Sequence, residues 1–235
     1  MINVQDLVKR HADRTVLHGV SFSARTGRVT GFVGPNGSGK SSTLRILLGL
    51  DRSESGTSTI AGRRYQTIRH PLTRVGSMLD GAGAHPMRTA RAHLGWVAAS
   101  NRIPRRRVDE VLEQVGLADA ARRRVGTYSL GMGQRLGLAT ALLGEPEYLV
   151  LDEPVNGLDP EGVRWIRGLL RRHADMGGTV LLSSHLMSEL AEIADDVAVI
   201  SEGRITATGT LAEVTRGYRN LEDAFFAHTQ KAVAW

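Results

Sequence analysis

The sequence predicts an α/β fold: a mostly parallel sheet covered on both faces by helices and organised around a glycine-rich loop. Three observations predict it. Short apolar runs at Val29-Thr30-Gly31-Phe32-Val33, Tyr148 to Leu151, Thr179 to Ser183 and Val197 to Ile200 alternate with stretches of helical periodicity, as buried parallel strands do. Between the first of these runs and a helix lies Gly34-Pro35-Asn36-Gly37-Ser38-Gly39-Lys40-Ser41, a complete match to the pattern G-x-x-x-x-G-K-[ST]. The Tyr148 run ends in two adjacent carboxylates, Asp152 and Glu153, at the strand edge where such sheets carry their ligands.

In chain order, Ile2 to Val8 reads as a first strand and Val16 to Ala24 as a second with alternating faces. Gly27 turns the chain into the strand that feeds the loop, and Ser42 to Gly49 is the helix leaving it. Gly56 and Gly62 bracket a short strand, Thr57 to Ala61, and Val75 to Leu79 is another, followed by the flexible connector Asp80 to Ala84. From Pro86 to Leu143 the pattern becomes helical, with Thr89 as a cap for Ala90 to Ser100, then Val108 to Val115 and Leu130 to Leu143. This stretch reads as a helical insertion. Helices over Pro160 to Met176 and Leu186 to Ala194 separate the later strands, and the tail from Leu211 to Trp235 is mostly helical.

Composition excludes several classes. With 235 residues, 41% of them hydrophobic and 23% charged, the chain is long and apolar enough for a sizeable core. It has no cysteine, which removes disulfide scaffolds and thiolate metal sites and fits a reducing cytosol. The N-terminus lacks the regions of a signal peptide, and no apolar run approaches the roughly 20 residues that span a bilayer. The net charge of +6 raises nucleic acid or an anionic membrane as partners. The only tight clusters, however, are Arg105 to Arg107 and Arg122 to Arg124, which read as a solvated basic face.

The loop residues suit their chemistry. Glycines at 34, 37 and 39 let backbone amides approach phosphate oxygens, and the following helix adds its positive N-terminus. Lysine occurs only at 9, 40 and 231, so the single lysine of the chain interior falls at the phosphate position. A compact ammonium fits among amides where a guanidinium fork does not. Lys40 would reach the β- and γ-phosphates, and Ser41 with Asp152 would ligate Mg²⁺. Glu153 would polarise an attacking water as general base. A Gly/Ser-rich turn alone is only a turn, and two acids alone are a solvated strand end; together, with Asn156-Gly157-Leu158-Asp159-Pro160 behind them, they read as a nucleotide site.

These residues resemble the ATP-binding subunits of ATP-binding cassette (ABC) transporters, from about Val4 to Phe226. The motifs that carry the resemblance are Gly34 to Ser42, Tyr128-Ser129-Leu130-Gly131-Met132-Gly133-Gln134-Arg135, Leu149 to Glu153, Gly157-Leu158-Asp159 and Ser183-Ser184-His185. The wording around Asp152 to Pro160 is most similar to cassettes serving export permeases, drug and antibiotic efflux included. The resemblance implies one P-loop NTPase domain over 1–235, with an antiparallel β subdomain near the N-terminus, a helical insertion over about 84–145 and a helical tail over about 211–235. It implies ATP and Mg²⁺ as cofactors, Ser42 as part of the phosphate cradle, and His185 as a sensor of the γ-phosphate. Ser129 and Gly131 would face the γ-phosphate held by a second subunit in a head-to-tail dimer, whose interface the loop of Asp159 would cross. It further implies a cytoplasmic location at the membrane, through an integral-membrane permease contacted around Asp80 to Leu94, with Pro86, Met87 and Trp96 as candidates and core packing as the other reading of Trp96.

Three features depart from the family pattern, the signature at two residues and two further positions at one each. Leu130 stands for the first glycine of the signature and Met132 for its glutamine, and Leu130 removes backbone freedom near phosphate, which predicts slow hydrolysis. His11 stands where an aromatic ring stacks on adenine. Asp80 stands where a glutamine contacts Mg²⁺, with an ordinary acidic loop residue as the other reading. Two alternatives stay open: a soluble cassette ATPase acting on nucleic acid or ribosomes, and a nucleotide-binding module with little catalysis.

Overall fold

The computed structural model describes residues 1–79, 81 and 83–230. The chain opens with β1 (Ile2–His11), β2 (Arg14–Ala24), β3 (Val29–Val33), α1 (Lys40–Leu47) and β4 (Ser55–Ile60). It continues through β5 (Val75–Met78), α2 (Ala90–Ser100), α3 (Arg106–Gln114), α4 (Leu130–Leu142) and β6 (Tyr148–Leu151). The last part holds α5 (Pro160–Asp175), β7 (Thr179–Ser184), α6 (Met187–Ala191), β8 (Asp196–Ser201), β9 (Arg204–Thr210), α7 (Leu211–Val214) and α8 (Leu221–Gln230). Contacts divide these elements into two compact units, residues 1–68 with 170 onward, and residues 69–169.

The first unit carries two sheets. One is antiparallel, in the order β2-β1-β4, and matches the β subdomain that the family resemblance implies. In the other, β3 lies between β7 and β8, parallel to both, and β9 closes the edge antiparallel to β8. Every residue of β3, β7 and β8 is buried, which explains why these strands read as unbroken apolar runs. Phe22 of β2 stacks on Phe32 of β3 with ring centroids 4.7 Å apart, joining the two sheets across one core. An ion network pins β8: Asp196 accepts from the Arg28 Nε and Nη2 at 2.8 Å each and also from Arg25. Burial raises the Asp196 pKa, and the hydrogen bonds from Arg25 and Arg28 outweigh it, so the carboxyl sits below its ordinary range.

The second unit packs β5 and β6, parallel in register from Val75 opposite Tyr148 to Met78 opposite Leu151, against the helices of the expected insertion. The close approach of β5 to α4 requires Gly76, because a Cβ there would strike the Ala141 carbonyl. Thr89 caps α2 as expected, its hydroxyl accepting from the Ala92 N–H at 3.2 Å.

Several boundaries shift. β1 and β2 extend into a hairpin, with Arg14 opposite His11. The helix expected over Leu186 to Ala194 is confined to Met187–Ala191. The strand β9 was not expected at all; it forms because Glu202 and Gly203, both at positive φ, make a two-residue turn between Ser201 and Arg204. The helical tail is two helices, α7 and α8, and residues 231–235 lie outside the described residues. The basic cluster Arg105 to Arg107 is not wholly a solvated face. Arg107 is largely buried, pairs with Glu110, and sends Nε toward the Leu143 carbonyl at 3.4 Å, at the C-terminal end of α4 where positive charge is favoured.

Candidate nucleotide site

In the first unit the phosphate loop springs from the buried end of β3 and runs into α1. Gly39 takes a conformation at φ 108° and ψ 4° that side chains rarely adopt, and a Cβ there would lie 2.5 Å from the Leu17 Cδ2. Gly37 is also at positive φ, but its Cβ would point into open space. The loop is braced from behind: the Gly203 N–H donates to the Ser38 carbonyl at 3.0 Å, and Thr43 donates from both its backbone N–H and its hydroxyl to the Gly39 carbonyl. Inside this frame the buried Lys40 ammonium donates to the carbonyls of Gly34 at 2.6 Å and Pro35 at 3.1 Å.

Two features fit this loop to a polyphosphate. The N-terminus of α1 carries no side-chain cap and no acidic residue in its first turn, so its amides form the kind of positive terminus that anions occupy. The buried Ser38 hydroxyl has no hydrogen-bond partner among the described residues. Pro35, Asn36, Gly37 and Ser41 are exposed along the same segment, and Ser42 is half-buried.

The register of the sheet adds His185. Val33 pairs with Ser184 across the parallel β3 and β7, so Gly34 and His185 leave the same sheet edge from neighbouring strands. His185 is exposed there, directly before α6, and the Ser184 hydroxyl accepts from the Leu186 N–H at 3.0 Å. His11 is also exposed, at the end of β1.

The second unit holds the acidic pair and the signature. Asp152 follows β6, its N–H donating to the Met78 carbonyl at 2.8 Å. Glu153 has φ 50°, a strained value for a glutamate, and both residues are half-buried. The turn then reaches α5, where the Asp159 carboxylate accepts from the Gly162 N–H at 2.8 Å and caps the helix. Ser129 caps α4, its Oγ accepting from the Met132 N–H at 3.3 Å, which leaves its O–H proton to donate. The segment before it is anchored by Tyr128, whose hydroxyl donates to the Ala120 carbonyl at 2.8 Å and whose burial pushes its pKa up.

Thus Gly34 to Ser42 and His185 come together in the first unit, and Ser129, Gly131, Asp152, Glu153 and Asp159 belong to the second. Asp80 lies outside the described residues. Among the described residues, no three or more His, Asp or Glu side chains gather where they could hold a metal ion. Trp96, whose alternative was core packing, is 58% exposed, with the Arg88 guanidinium 5.0 Å over its ring. Sequence reasoning misses the scaffold residues Leu17, Ile200 and Gly203, the first two of which also lie where a Cβ on Gly39 would meet them; Glu202-Gly203, between an unbroken apolar run and an alternating one, is the available signal.

The family model described as ABC transporter matches residues 17–156. The lantibiotic transport ATP-binding protein SrtF of Streptococcus pyogenes is 35% identical over 225 residues, covering 96% of each chain. The chain belongs to the ABC transporter ATP-binding family. The cassette is also 39% identical to the bacitracin transport ATP-binding protein BcrA of Bacillus licheniformis, over 87% of this chain and 68% of that protein. A solved ATP-binding subunit of an ABC transporter shares 25% identity with it at a TM-score of 0.88, covering 97% of this chain and 99% of that one. The dimeric cassette MJ0796 shares 22% identity at a TM-score of 0.81, a likeness of fold.

Proposed function

We propose that this cassette binds ATP with Mg²⁺, hydrolyses it at Glu153, and powers export through a separate membrane permease. The observation that carries this reading is the loop itself: it holds a buried ammonium at the Gly34 and Pro35 carbonyls and runs into an uncapped helix N-terminus, and His185 leaves the same sheet edge. Lys40 would exchange its carbonyl partners for β- and γ-phosphate oxygens, a short move for a flexible side chain. His185 would touch the γ-phosphate. Glu153 would take the proton of the attacking water as that oxygen bonds to the γ-phosphorus and the bond to the bridging oxygen breaks.

Ser41 and Asp152 are the residues that would hold the metal, which neutralises charge developing on the phosphates. Mg²⁺ characteristically binds through one or two protein ligands plus substrate phosphates. The head-to-tail dimer would bring Ser129 and Gly131 to the partner's nucleotide. Relatives named for lantibiotic and bacitracin transport support an export role for peptide-like antibiotics. Among the described residues no helix is long and apolar enough to cross a membrane. The exposed Met87 and the Arg88–Trp96 pair form an amphipathic patch suited to dock it.

The test is steady-state ATP hydrolysis by the wild-type cassette and Glu153→Gln. The variant is expected to bind ATP and lose turnover by about 10²–10⁴-fold, the range for removing a general base. Equal turnover would remove Glu153 from the chemistry.

A further inference from the structure

Leu130 is one of the two signature residues that depart from the family pattern, and the second unit shows what it touches. It is the first residue of α4 and is 67% exposed, so it contributes little to the core. Its side chain nevertheless lies on Gly157, where a Cβ would come within 2.6 Å of the Leu130 Cγ and collide with its Cδ2. The neighbouring Gly131 approaches the same point, its Cβ position 3.4 Å from the Gly157 carbonyl.

Gly157 sits in the turn that begins at Glu153. Two residues of that turn have left-handed backbones, Glu153 at φ 50° and Gly157 at φ 75°. They are linked by the Asn156 N–H, which donates to the Glu153 carbonyl at 3.1 Å, and by the Leu158 N–H, which donates to the Val155 carbonyl at 3.2 Å. A glutamate keeps a left-handed conformation only where its surroundings over-determine it. Asp152 fixes the turn at one end through Met78, Pro154 and Val155 are buried beneath it, and Asp159 fixes the other end on α5. Between those anchors the exposed Asn156-Gly157 pair has no side chain of its own in the core. The side chain of Leu130 supplies that missing contact from outside.

We propose that Leu130 is a positioning residue: by clamping Gly157 it holds the Glu153–Asp159 turn in the conformation from which Glu153 acts on its water. This rests on the reading of Glu153 as the base. It differs from the expectation from the sequence, in which Leu130 acts only by removing backbone freedom near phosphate and so slows hydrolysis. It also ties the start of α4 to the turn after β6 within one chain, so a ligand that moves one moves the other.

The experiment is steady-state ATP hydrolysis by the full chain carrying Leu130→Ala, Leu130→Gly, Leu130→Met, Gly157→Ala and the double substitution Leu130→Ala with Gly157→Ala. Glu153→Gln and thermal melts accompany them. Leu130→Ala and Leu130→Gly are expected to lower kcat by about tenfold with KM within about twofold, since a shift of even 1 Å in a reacting group costs ~10²-fold. Leu130→Met, which reaches Gly157 again, should restore most of kcat. The methyl of Gly157→Ala collides with Leu130, so the double variant should be more active than the product of the two single effects. A role of Leu130 only at phosphate bound by another subunit would make the two effects multiply, which overturns the proposal. So would a kcat for Leu130→Gly at or above wild type, or a Leu130→Met no better than alanine. If Glu153→Gln keeps full turnover, the base assignment falls and the positioning role with it. If Glu153→Gln is inactive while Leu130→Ala turns over normally, only the positioning role falls.

Discussion

Alanine at Gly39 and alanine at Gly37 should damage this cassette in different ways, although the two glycines are two residues apart. At Gly39 a methyl meets the Leu17 Cδ2 at 2.5 Å and the Val16 carbonyl at 3.3 Å. Leu17 is fully buried in β2 and cannot swing away. A strained backbone at φ 108° adds about 1–3 kcal/mol, and overpacking adds about 1–3 kcal/mol more. For a chain of this length each kcal/mol lowers Tm by about 2–4 °C, so a fall of roughly 5–20 °C is expected. At Gly37 the methyl meets nothing within 4 Å, and only the left-handed backbone at φ 79° opposes it, at about 1–2 kcal/mol. Its methyl stands instead where phosphate would approach the amides. Gly37→Ala should therefore melt only a few degrees below wild type while losing at least about tenfold in ATP affinity, ~1.4 kcal/mol. Thermal unfolding with and without ATP, together with calorimetric titration, separates the two. A Gly39→Ala protein that melts like wild type, or a Gly37→Ala protein that binds ATP normally, would refute the placement of this loop.

Further outcomes follow from single contacts. Lys40→Ala removes the ammonium held at the Gly34 and Pro35 carbonyls and should weaken ATP binding by at least about 100-fold, ~2.7 kcal/mol, in a titration. His93 is buried with no partner for its Nδ1 among the described residues, and burial first, then the Arg88 charge, holds its pKa below the ordinary 6.5. Its full contribution to stability is present above pH 6.5 and is lost as pH falls toward the folded value, so denaturant midpoints of His93→Gln should depend less on pH below 6.5 than those of wild type. Trp96→Ala should leave Tm nearly unchanged, because the ring is 58% exposed, and abolish copurification with the permease from solubilised membranes.

What was legible in the sequence was local. The phosphate loop, the strand ends at Asp152 and His185, and the Thr89 cap each depend on residues a few positions apart, and each stands where its pattern puts it; α1, expected over Ser42 to Gly49, begins and ends two residues earlier. What was hidden depends on distant pairings. Leu17, Ile200 and Gly203 reach the loop only through strand neighbours far along the chain, so no periodicity points to them. β9 was overlooked because its alternation is of half-exposed residues and its turn, Glu202-Gly203, lacks the usual Asn or Asp. The contact of Leu130 with Gly157 joins two motifs that a linear reading treats separately.

The N-termini of α1 and α4 both belong to motifs that face phosphate in the proposed dimer, yet they are built differently, and the difference fits when each must hold it. At α4, Ser129 satisfies the Met132 amide, and both Ser129 and Leu130 are exposed. A terminus that meets its ligand only when a second subunit arrives must be stable without it, and a side-chain cap contributes about 1 kcal/mol toward that. At α1, Gly39 provides no cap, and compensation comes from the buried Lys40 and the bracing of the loop by Gly203 and Thr43. A bare terminus gains most from an anion, because its amides have no competing side chain to displace. In the proposed dimer the grip on nucleotide would therefore belong to α1, and α4 would suit a contact that is made and broken. In that division Leu130 would have a place: the terminus proposed to come and go is the one whose first residue rests on the turn of Glu153, the proposed base.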